Sequence, residues 1–193
     1  MKSEIICIID RSGSMASIAS DAIGGFNTFL EDQKKVKGDT TLTFVQFDTQ
    51  YEIVHENTPL NDVPILDNST FQPKGATALL DAVGKTIDNT GKRLSNTPEG
   101  NRPDKIIVAI LTDGEENSSK QYNLSKIKEM IQHQKEKYQW EFIFLGANQD
   151  AFAEAAKIGI DVKDTFNFAA TSTGVRSAYS NMGSTVTSYR TGN

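Results

Sequence analysis

The sequence predicts an open α/β fold: a doubly wound, mostly parallel six-stranded sheet with one antiparallel edge strand and helices on both faces. Short runs rich in Ile, Val and Phe alternate along the chain with longer segments whose apolar residues recur every three or four positions. The runs at residues 4–9 and 105–111 are apolar at nearly every position. Such runs are typical of central strands that are buried on both faces of a parallel sheet.

Six apolar runs predict the strands, at residues 4–9, 41–47, 51–54, 105–111, 140–145 and 165–168. Only residues 48–50 separate the second run from the third, and this connection is too short for a crossover helix. We therefore expect an antiparallel hairpin that leaves the third strand at the edge of the sheet. The first and fourth strands are expected to be neighbours, because helices must cover both faces.

Five segments have the apolar spacing of amphipathic helices, at residues 16–36, 77–90, 123–138, 150–158 and 173–189. The last segment contains many Ser and Thr residues, which are only fair helix formers, but its apolar residues still form a helical stripe. Residues 57–75 and 89–104 carry most of the Pro and Asn and are predicted to be long surface loops. A length of 193 residues fits one domain, which we expect to span residues 1–193.

The composition argues against several classes of partner. Hydrophobic residues make up 37% of the chain and charged residues 23%, as in ordinary globular proteins. The formal net charge is -5, whereas nucleic acids and anionic membranes attract clustered Lys and Arg. We therefore expect neither a nucleic acid nor a membrane as a partner, and nothing in the sequence indicates an oligomer, so a monomer is expected.

The apolar runs also bear on location and on the single cysteine. No stretch is long and apolar enough to span a bilayer, and the first run is too short for the apolar region of a signal peptide. We therefore expect a cytoplasmic protein. Cys7 excludes an internal disulfide, and its place within the first apolar run predicts a buried thiol that acts as a small hydrophobe.

Polar side chains gather where the predicted strands end. Asp10, Ser12 and Ser14 follow the first strand, Asp113 follows the fourth, and Thr77 begins the second predicted helix. Ligands of open α/β sheets bind beyond the carboxyl ends of the strands, where the strand order reverses. We therefore expect these side chains to meet at one edge of the sheet.

The chemistry of these side chains favours a hard divalent cation. They offer only oxygen atoms, and Mg²⁺ prefers six oxygen ligands in an octahedron, with Ca²⁺ and Mn²⁺ as alternatives. Zn²⁺ is disfavoured, because no Cys or His is among them. We expect Gly13 to let the backbone turn without a clash at Cβ. The sequence therefore predicts a magnesium site on this loop.

Residues 10–14, Asp-Arg-Ser-Gly-Ser, followed by Thr77 and Asp113, resemble the metal-ion-dependent adhesion site of the von Willebrand factor type A (vWA) family. The resemblance covers essentially the whole chain, from the first strand to the last helix, and implies a Rossmann-like vWA fold. Residues 144–150, Phe-Leu-Gly-Ala-Asn-Gln-Asp, also resemble the small stand-alone intracellular members of bacteria and phages.

The resemblance implies a role for each residue of the site. Ser12, Ser14 and Thr77 are implied to contact the ion directly, whereas Asp10 and Asp113 are implied to hold its water molecules. With both carboxylates set back, the ion is short of negative charge, and an Asp or Glu carboxylate of a partner protein is the expected sixth ligand. The implied function is a metal-dependent protein-binding module that is not an enzyme.

Two other functions stay open at this point. One is a scaffold with the same fold whose metal is purely structural. The other is a Mg²⁺-dependent phosphate-handling enzyme with Asp10 as nucleophile, although such enzymes usually carry a second acid where Ser12 stands here. Each hydroxyl also has a simpler interpretation, since Ser and Thr often cap helices, and an Asp before Gly often forms a turn.

Further polar residues follow the same strands. Glu115 and Glu116 lie just beyond Asp113, where they can shape specificity or occupy the open metal position, but we expect them to form a solvated acidic loop. Asn148 and Asp150 follow the fifth predicted strand. We expect them to cap the next helix.

Overall fold

The computed structural model describes residues 1–147 and 150–192, and the strands within these ranges form one six-stranded sheet. In chain order the strands are β1 (Lys2–Asp10), β2 (Asp39–Phe47), β3 (Tyr51–Pro59), β4 (Lys105–Thr112), β5 (Glu141–Ala147) and β6 (Thr165–Phe168). Their spatial order is β3-β2-β1-β4-β5-β6, and every neighbouring pair is parallel except β2 and β3. The predicted mostly parallel sheet, the antiparallel edge strand and the pairing of β1 with β4 are confirmed.

Helices cover both faces of the sheet, as predicted. In the described part of the chain they are α1 (Ala19–Lys35), α2 (Leu79–Ser95), α3 (Leu124–Tyr138), α4 (Ala151–Lys157) and α5 (Ser172–Thr191). Successive side chains of β1 point to opposite faces, so that Ile5 and Ile9 pack with α1 and α5, whereas Ile6 and Ile8 pack with the other three helices. This alternation explains why β1 reads as a continuous apolar run.

Two helices differ from the predicted bounds by more than two residues. The first predicted helix begins as a 3-10 helix at Gly13–Ile18, and α1 itself starts at Ala19. The second runs through to Ser95, so the predicted loop at residues 89–104 is shorter than expected. Its last turn is stabilised by Arg93, whose charge suits a helix C-terminus and whose guanidinium pairs with the buried Glu4. A local sequence pattern does not contain this long-range partner.

The prediction of a long surface loop at residues 57–75 is wrong. β3 continues to Pro59, and the chain beyond it contributes four side chains to the core beneath α1 and α5: Leu60, Val63, Leu66 and Phe71. The side chain of Asn27 on α1 fixes this segment, because it accepts a hydrogen bond from the backbone N–H of Leu66 at 2.7 Å and donates to its carbonyl at 2.9 Å. The apolar residues of the segment follow neither helical nor strand periodicity, which is why the pattern missed them.

Two expectations from the apolar runs can be compared with this fold. Cys7 is fully buried in β1, as predicted. Burial raises the pKa of its thiol to about 12, so the group stays protonated at neutral pH. Among residues 1–147 and 150–192, no helix combines the length and the apolar character needed to cross a bilayer.

α1 and α5 approach each other closely at Gly25. A Cβ at this position would lie 2.3 Å from Cδ2 of Tyr179, far inside van der Waals contact, so the ring of Tyr179 packs directly over the glycine. The preceding Gly24 is exposed, and apart from its chain neighbours and the backbone of its own helix no described atom lies within 4 Å of the position of its Cβ. The two adjacent glycines therefore differ in packing while sharing one helix.

This difference gives a matched pair of variants. We expect Gly25→Ala to lower the free energy of unfolding by about 1–3 kcal/mol, because the added methyl group displaces the Tyr179 ring. Gly24→Ala is expected to raise it by about 0.5–1 kcal/mol, because alanine favours the helix. Urea unfolding followed by circular dichroism measures both values. Equal effects of the two substitutions would contradict the close approach of α1 and α5.

Candidate metal centre

The pairing of β1 with β4 places the ends of the two strands side by side. Ile9 lies opposite Leu111, so the residues that follow each strand emerge at the same height. The hydroxyl of Thr112 donates to Oδ2 of Asp10 at 2.7 Å, and the backbone N–H of Ser12 donates to Oδ1 at 2.6 Å. The fully buried carboxylate of Asp10 is therefore held from both strands.

The predicted hydroxyl groups converge beside this carboxylate. Oγ of Ser12 and Oγ of Ser14 are 3.1 Å apart, and the Ser14 hydroxyl donates to Oδ1 of Asp113 at 2.7 Å. A Cβ on Gly114 would lie 3.3 Å from Oγ1 of Thr77 and 3.8 Å from Oγ of Ser14, so these two hydroxyls flank the same point. The structure thus brings all the predicted site residues together at one edge of the sheet.

The backbone of residues 10–14 is hydrogen-bonded to the segment that precedes Thr77. The N–H of Gly13 donates to the carbonyl of Gly75 at 3.0 Å, and the N–H of Lys74 donates to the carbonyl of Arg11 at 2.8 Å. A Cβ at Gly13 would lie 3.4 Å from the Gly75 oxygen, an ordinary contact, so the clash expected at Gly13 is not found. Of the two glycines, Gly75 has the left-handed backbone conformation, with a φ of 69°, which favours glycine.

The hydroxyl side chains of the site are not helix caps. α1 begins at Ala19 and α2 at Leu79, beyond the reach of a normal cap from Ser14 or Thr77. Ser12 does precede the 3-10 helix, but its side chain makes no capping hydrogen bond. The simpler interpretation of these residues is therefore wrong.

Burial dominates the electrostatics of the two carboxylates. It raises the pKa of Asp10 to about 6, although hydrogen bonds from Thr112 and Ser12 act in the opposite direction, and the charge of Asp113 raises the pKa further. Burial also raises the pKa of Asp113, against the hydrogen bond from Ser14. A cation beside such groups stabilises their charged forms.

The donor set contains more hydroxyls than carboxylates. Among residues 1–147 and 150–192, no group of three or more His, Cys, Asp or Glu side chains is arranged to hold a metal ion. Three hydroxyls and two carboxylates supply the oxygens here, which are ligands that suit Mg²⁺. Ser14 is exposed, whereas the other four predicted residues are less than a tenth exposed. The site therefore opens to solvent on the side of Ser14.

The loop after β4 is anchored by side chains that we did not predict from the sequence. Oδ1 of Asn117 accepts a hydrogen bond from the N–H of Thr77 at 3.0 Å, and the N–H of Asn117 donates to the Thr77 carbonyl at 3.0 Å. Oε2 of Glu116 accepts from the N–H of Leu80 at 2.9 Å. Its Oε1 accepts from the N–H of Ser119 at 2.6 Å. These bonds fix the loop against the start of α2.

The expectation of a solvated acidic loop is confirmed for Glu115, which is exposed, and is wrong for Glu116. Glu116 accepts hydrogen bonds from backbone N–H groups of its own loop and from that of the distant Leu80. Asp150 caps α4 as predicted, since its side chain accepts from the N–H of Ala153 at 3.1 Å. Asn148 lies outside the described residues.

Asp81, in the first turn of α2, holds the remainder of the same loop. Its carboxylate accepts the backbone N–H groups of Lys120, Gln121 and Tyr122 at 3.0, 2.9 and 2.9 Å. Burial acts to raise the pKa of Asp81, but these three donors and the charge of Lys85 together outweigh it and lower the pKa. Residues at and just before the start of α2 thus bind residues 116–117 and 120–122 of the loop that carries Asp113.

Residues 4–180 match the von Willebrand factor type A domain family, so the chain belongs to this family. No curated protein matches the chain.

Several solved structures share the fold. Proximal thread matrix protein 1 from the mussel byssus has a TM-score of 0.69 at 15% identity, covering 96% of this chain and 46% of its own. The vWF domain of the type V pili tip protein Mfa5 from Porphyromonas gingivalis has a TM-score of 0.69 at 10% identity. This match covers 95% of this chain and 94% of the Mfa5 domain. The PilB minor pilin from Streptococcus sanguinis has a TM-score of 0.68 at 12% identity, and the match covers 100% of this chain and 64% of the pilin. This chain spans about half the length of the mussel protein. The mussel protein has also been solved with zinc in its metal-ion-dependent adhesion site (MIDAS) motif.

The lowered pKa of Asp81 predicts a pH-dependent contribution to stability. The group binds its proton less readily in the folded state, so its contribution is present above the unfolded value of 3.8 and is lost as the pH falls through the lower folded value. At neutral pH we expect Asp81→Asn to cost about 1–3 kcal/mol.

Urea unfolding of the wild type and of Asp81→Asn, repeated from neutral pH to below about pH 4, measures this contribution. The difference between the two proteins should shrink at the acid end. Asp62→Asn, which changes an exposed carboxylate, is the matched control and should have little effect. A difference that is independent of pH, or equally large for the control, would refute the proposed anchoring.

Proposed function

We propose that this chain is a metal-dependent protein-binding module. In this proposal, a divalent ion is held by Asp10, Ser12, Ser14, Thr77 and Asp113, and it grips an Asp or Glu carboxylate of a partner protein. The observation that carries the proposal is the convergence of three hydroxyls and two carboxylates, from three separate segments, at one edge of the sheet. Membership of the vWA family supports it.

The hydrogen bonds of the site support different roles for hydroxyls and carboxylates. Both oxygens of Asp10 already accept hydrogen bonds inside the protein, from Ser12 and from Thr112. In our proposal Asp10 and Asp113 therefore hold water molecules of the ion, and the hydroxyls contact it directly. An ion whose direct protein ligands are uncharged retains its affinity for an external carboxylate. Ser14 lies on the exposed side, where such a carboxylate can enter.

We propose Mg²⁺ as the ion, with Ca²⁺ and Mn²⁺ as alternatives, because all the donor atoms are oxygens. Zn²⁺ enters the test as well, since the mussel protein was solved with zinc in its MIDAS motif. The lack of Cys and His among the five candidate ligands therefore does not by itself exclude zinc. We also propose that residues 1–193 form one domain that acts as a monomer.

The structure gives little support to the enzyme alternative. A nucleophilic aspartate must reach the phosphorus atom of its substrate, but Asp10 is fully buried and both of its oxygens are engaged. We therefore propose that the site binds and does not catalyse. Turnover of a phosphate ester by the wild type, lost in Asp10→Asn, would overturn this part of the proposal.

The first test is metal affinity. We expect Ser12→Ala to weaken Mn²⁺ binding by at least about tenfold, because a hydroxyl that contacts the ion is lost and even groups that only orient metal ligands contribute about 10–100-fold. Ser20→Ala removes an exposed serine of α1 and is expected to leave the affinity unchanged. Isothermal titration with Mn²⁺, Mg²⁺ and Zn²⁺ measures these affinities. A wild type that binds none of the three ions, or a Ser12→Ala variant that binds as tightly as wild type, would overturn the metal site.

The second test is partner capture. An affinity pull-down in Mg²⁺ should retain a partner on the wild type, release it with EDTA, and fail with Asp10→Ala and with Ser12→Ala. The smaller serine substitution guards against loss of folding in the aspartate variant. Binding that survives both EDTA and the substitutions would instead support the scaffold with a structural metal.

A further inference from the structure

Arg11 belongs to the metal loop, but its side chain is buried against the turn between β2 and β3. The side chain is only 6% exposed. Its Nε donates to Oδ2 of Asp48 at 2.9 Å, and its Nη1 donates to Oε2 of Glu52 at 2.5 Å. Asp48 is itself 1% exposed, whereas Glu52 is half exposed. This buried, paired guanidinium directly precedes Ser12, a residue of the proposed site.

Asp48 connects this arginine to the third segment of the site. The carbonyl of Asp48 accepts a hydrogen bond from the N–H of Ala78, the residue after Thr77, at 3.1 Å. Its Oδ1 accepts from the N–H of Gln50 at 2.7 Å, which shapes the turn after β2. The Arg11–Asp48 pair therefore lies between the loop that carries the two serines and the segment that carries Thr77.

The charges of this cluster are compatible with a nearby cation. A lone guanidinium in the loop would repel a metal ion, but here two carboxylates, those of Asp48 and Glu52, face the single charge of Arg11. The hydrogen bond from Gln46, then the hydrogen bond and charge of Arg11 and the charge of Lys74, lower the pKa of Glu52 against the effect of burial, so this carboxylate is ionised at neutral pH. The net charge of Arg11, Asp48 and Glu52 therefore does not oppose the binding of a cation. The main effect of Arg11 on the metal site is then to position its residues.

We propose that Arg11 is a positioning residue of the metal centre. By holding the turn after β2 against the loop after β1, it sets the separation between the hydroxyls of Ser12 and Ser14 and that of Thr77. This inference rests on the metal-binding role proposed above. Lysine cannot replace this arginine, because one ammonium group lacks the planar fork that reaches two carboxylates at fixed angles.

Arg11→Lys tests the proposal, since it preserves the charge and changes only the geometry. We expect its dissociation constant for Mn²⁺ to rise about tenfold, the scale seen when a group that orients metal ligands is lost. Mn²⁺ electron paramagnetic resonance measures the free and bound ion, and thermal unfolding without metal is recorded in parallel.

Arg93→Lys is the matched control. Arg93 donates through Nη2 to Oε1 of the fully buried Glu4 at 2.6 Å, so it is also an arginine paired with a buried carboxylate, but it lies near the opposite end of β1. We expect Arg93→Lys to lower the melting temperature while the affinity for Mn²⁺ stays at the wild-type value. If Arg11 had only a structural role, Arg11→Lys would likewise lower the melting temperature and leave the affinity for Mn²⁺ unchanged.

Asp48→Asn provides a second variant in case Arg11→Lys folds poorly. We expect it to weaken Mn²⁺ binding as well, and the double variant to be no weaker than the weaker single one, because both changes break the same pair. Wild-type affinity in Arg11→Lys, or equal losses in Arg11→Lys and Arg93→Lys, would overturn the positioning role alone. A wild-type chain that takes up no Mn²⁺ would instead overturn the proposed function.

Discussion

The parallel pairing of β1 with β4 is the interaction on which the rest of the site depends. It places Thr112 where its hydroxyl reaches the carboxylate of Asp10 at 2.7 Å, and it brings Asp113 within hydrogen-bond distance of Ser14. A shift of one residue in this register would turn every side chain of one strand to the opposite face. The buried apolar residues on both faces of β1 and β4 resist such a shift, so the core of the sheet also fixes the site.

The remaining parts of the site are held by hydrogen bonds between loops. Asn117 and Glu116 hold the loop after β4 against the start of α2, and Asp48 holds the segment of Thr77 against the turn after β2. These contacts of the chain itself hold the segments that carry the hydroxyls beside one another. A site that is already arranged loses less conformational entropy when it binds, which suits a module that recognises a partner.

The sequence predicted the fold, and the meeting of the candidate site residues at one edge of the sheet, because both depend on strong local signals. Two runs apolar at nearly every position mark central strands, and polar residues directly after Ile9 and Leu111 must then share one edge of the sheet. The roles of Glu116, Asn117 and Arg11 could not be predicted in this way. Each depends on which distant backbone or carboxylate lies beside it in the folded chain, and hydrophobic periodicity carries no such information.

Crystals of the wild-type chain grown with Mn²⁺ test the central claim most directly, through the anomalous scattering of manganese. We predict one strong anomalous peak within coordination distance, about 2.2 Å, of the hydroxyl oxygens of Ser12, Ser14 and Thr77. Asp10 and Asp113 should lie one water molecule further away. A peak elsewhere on the surface, or no peak beside these hydroxyls at saturating Mn²⁺, would contradict the proposed metal centre.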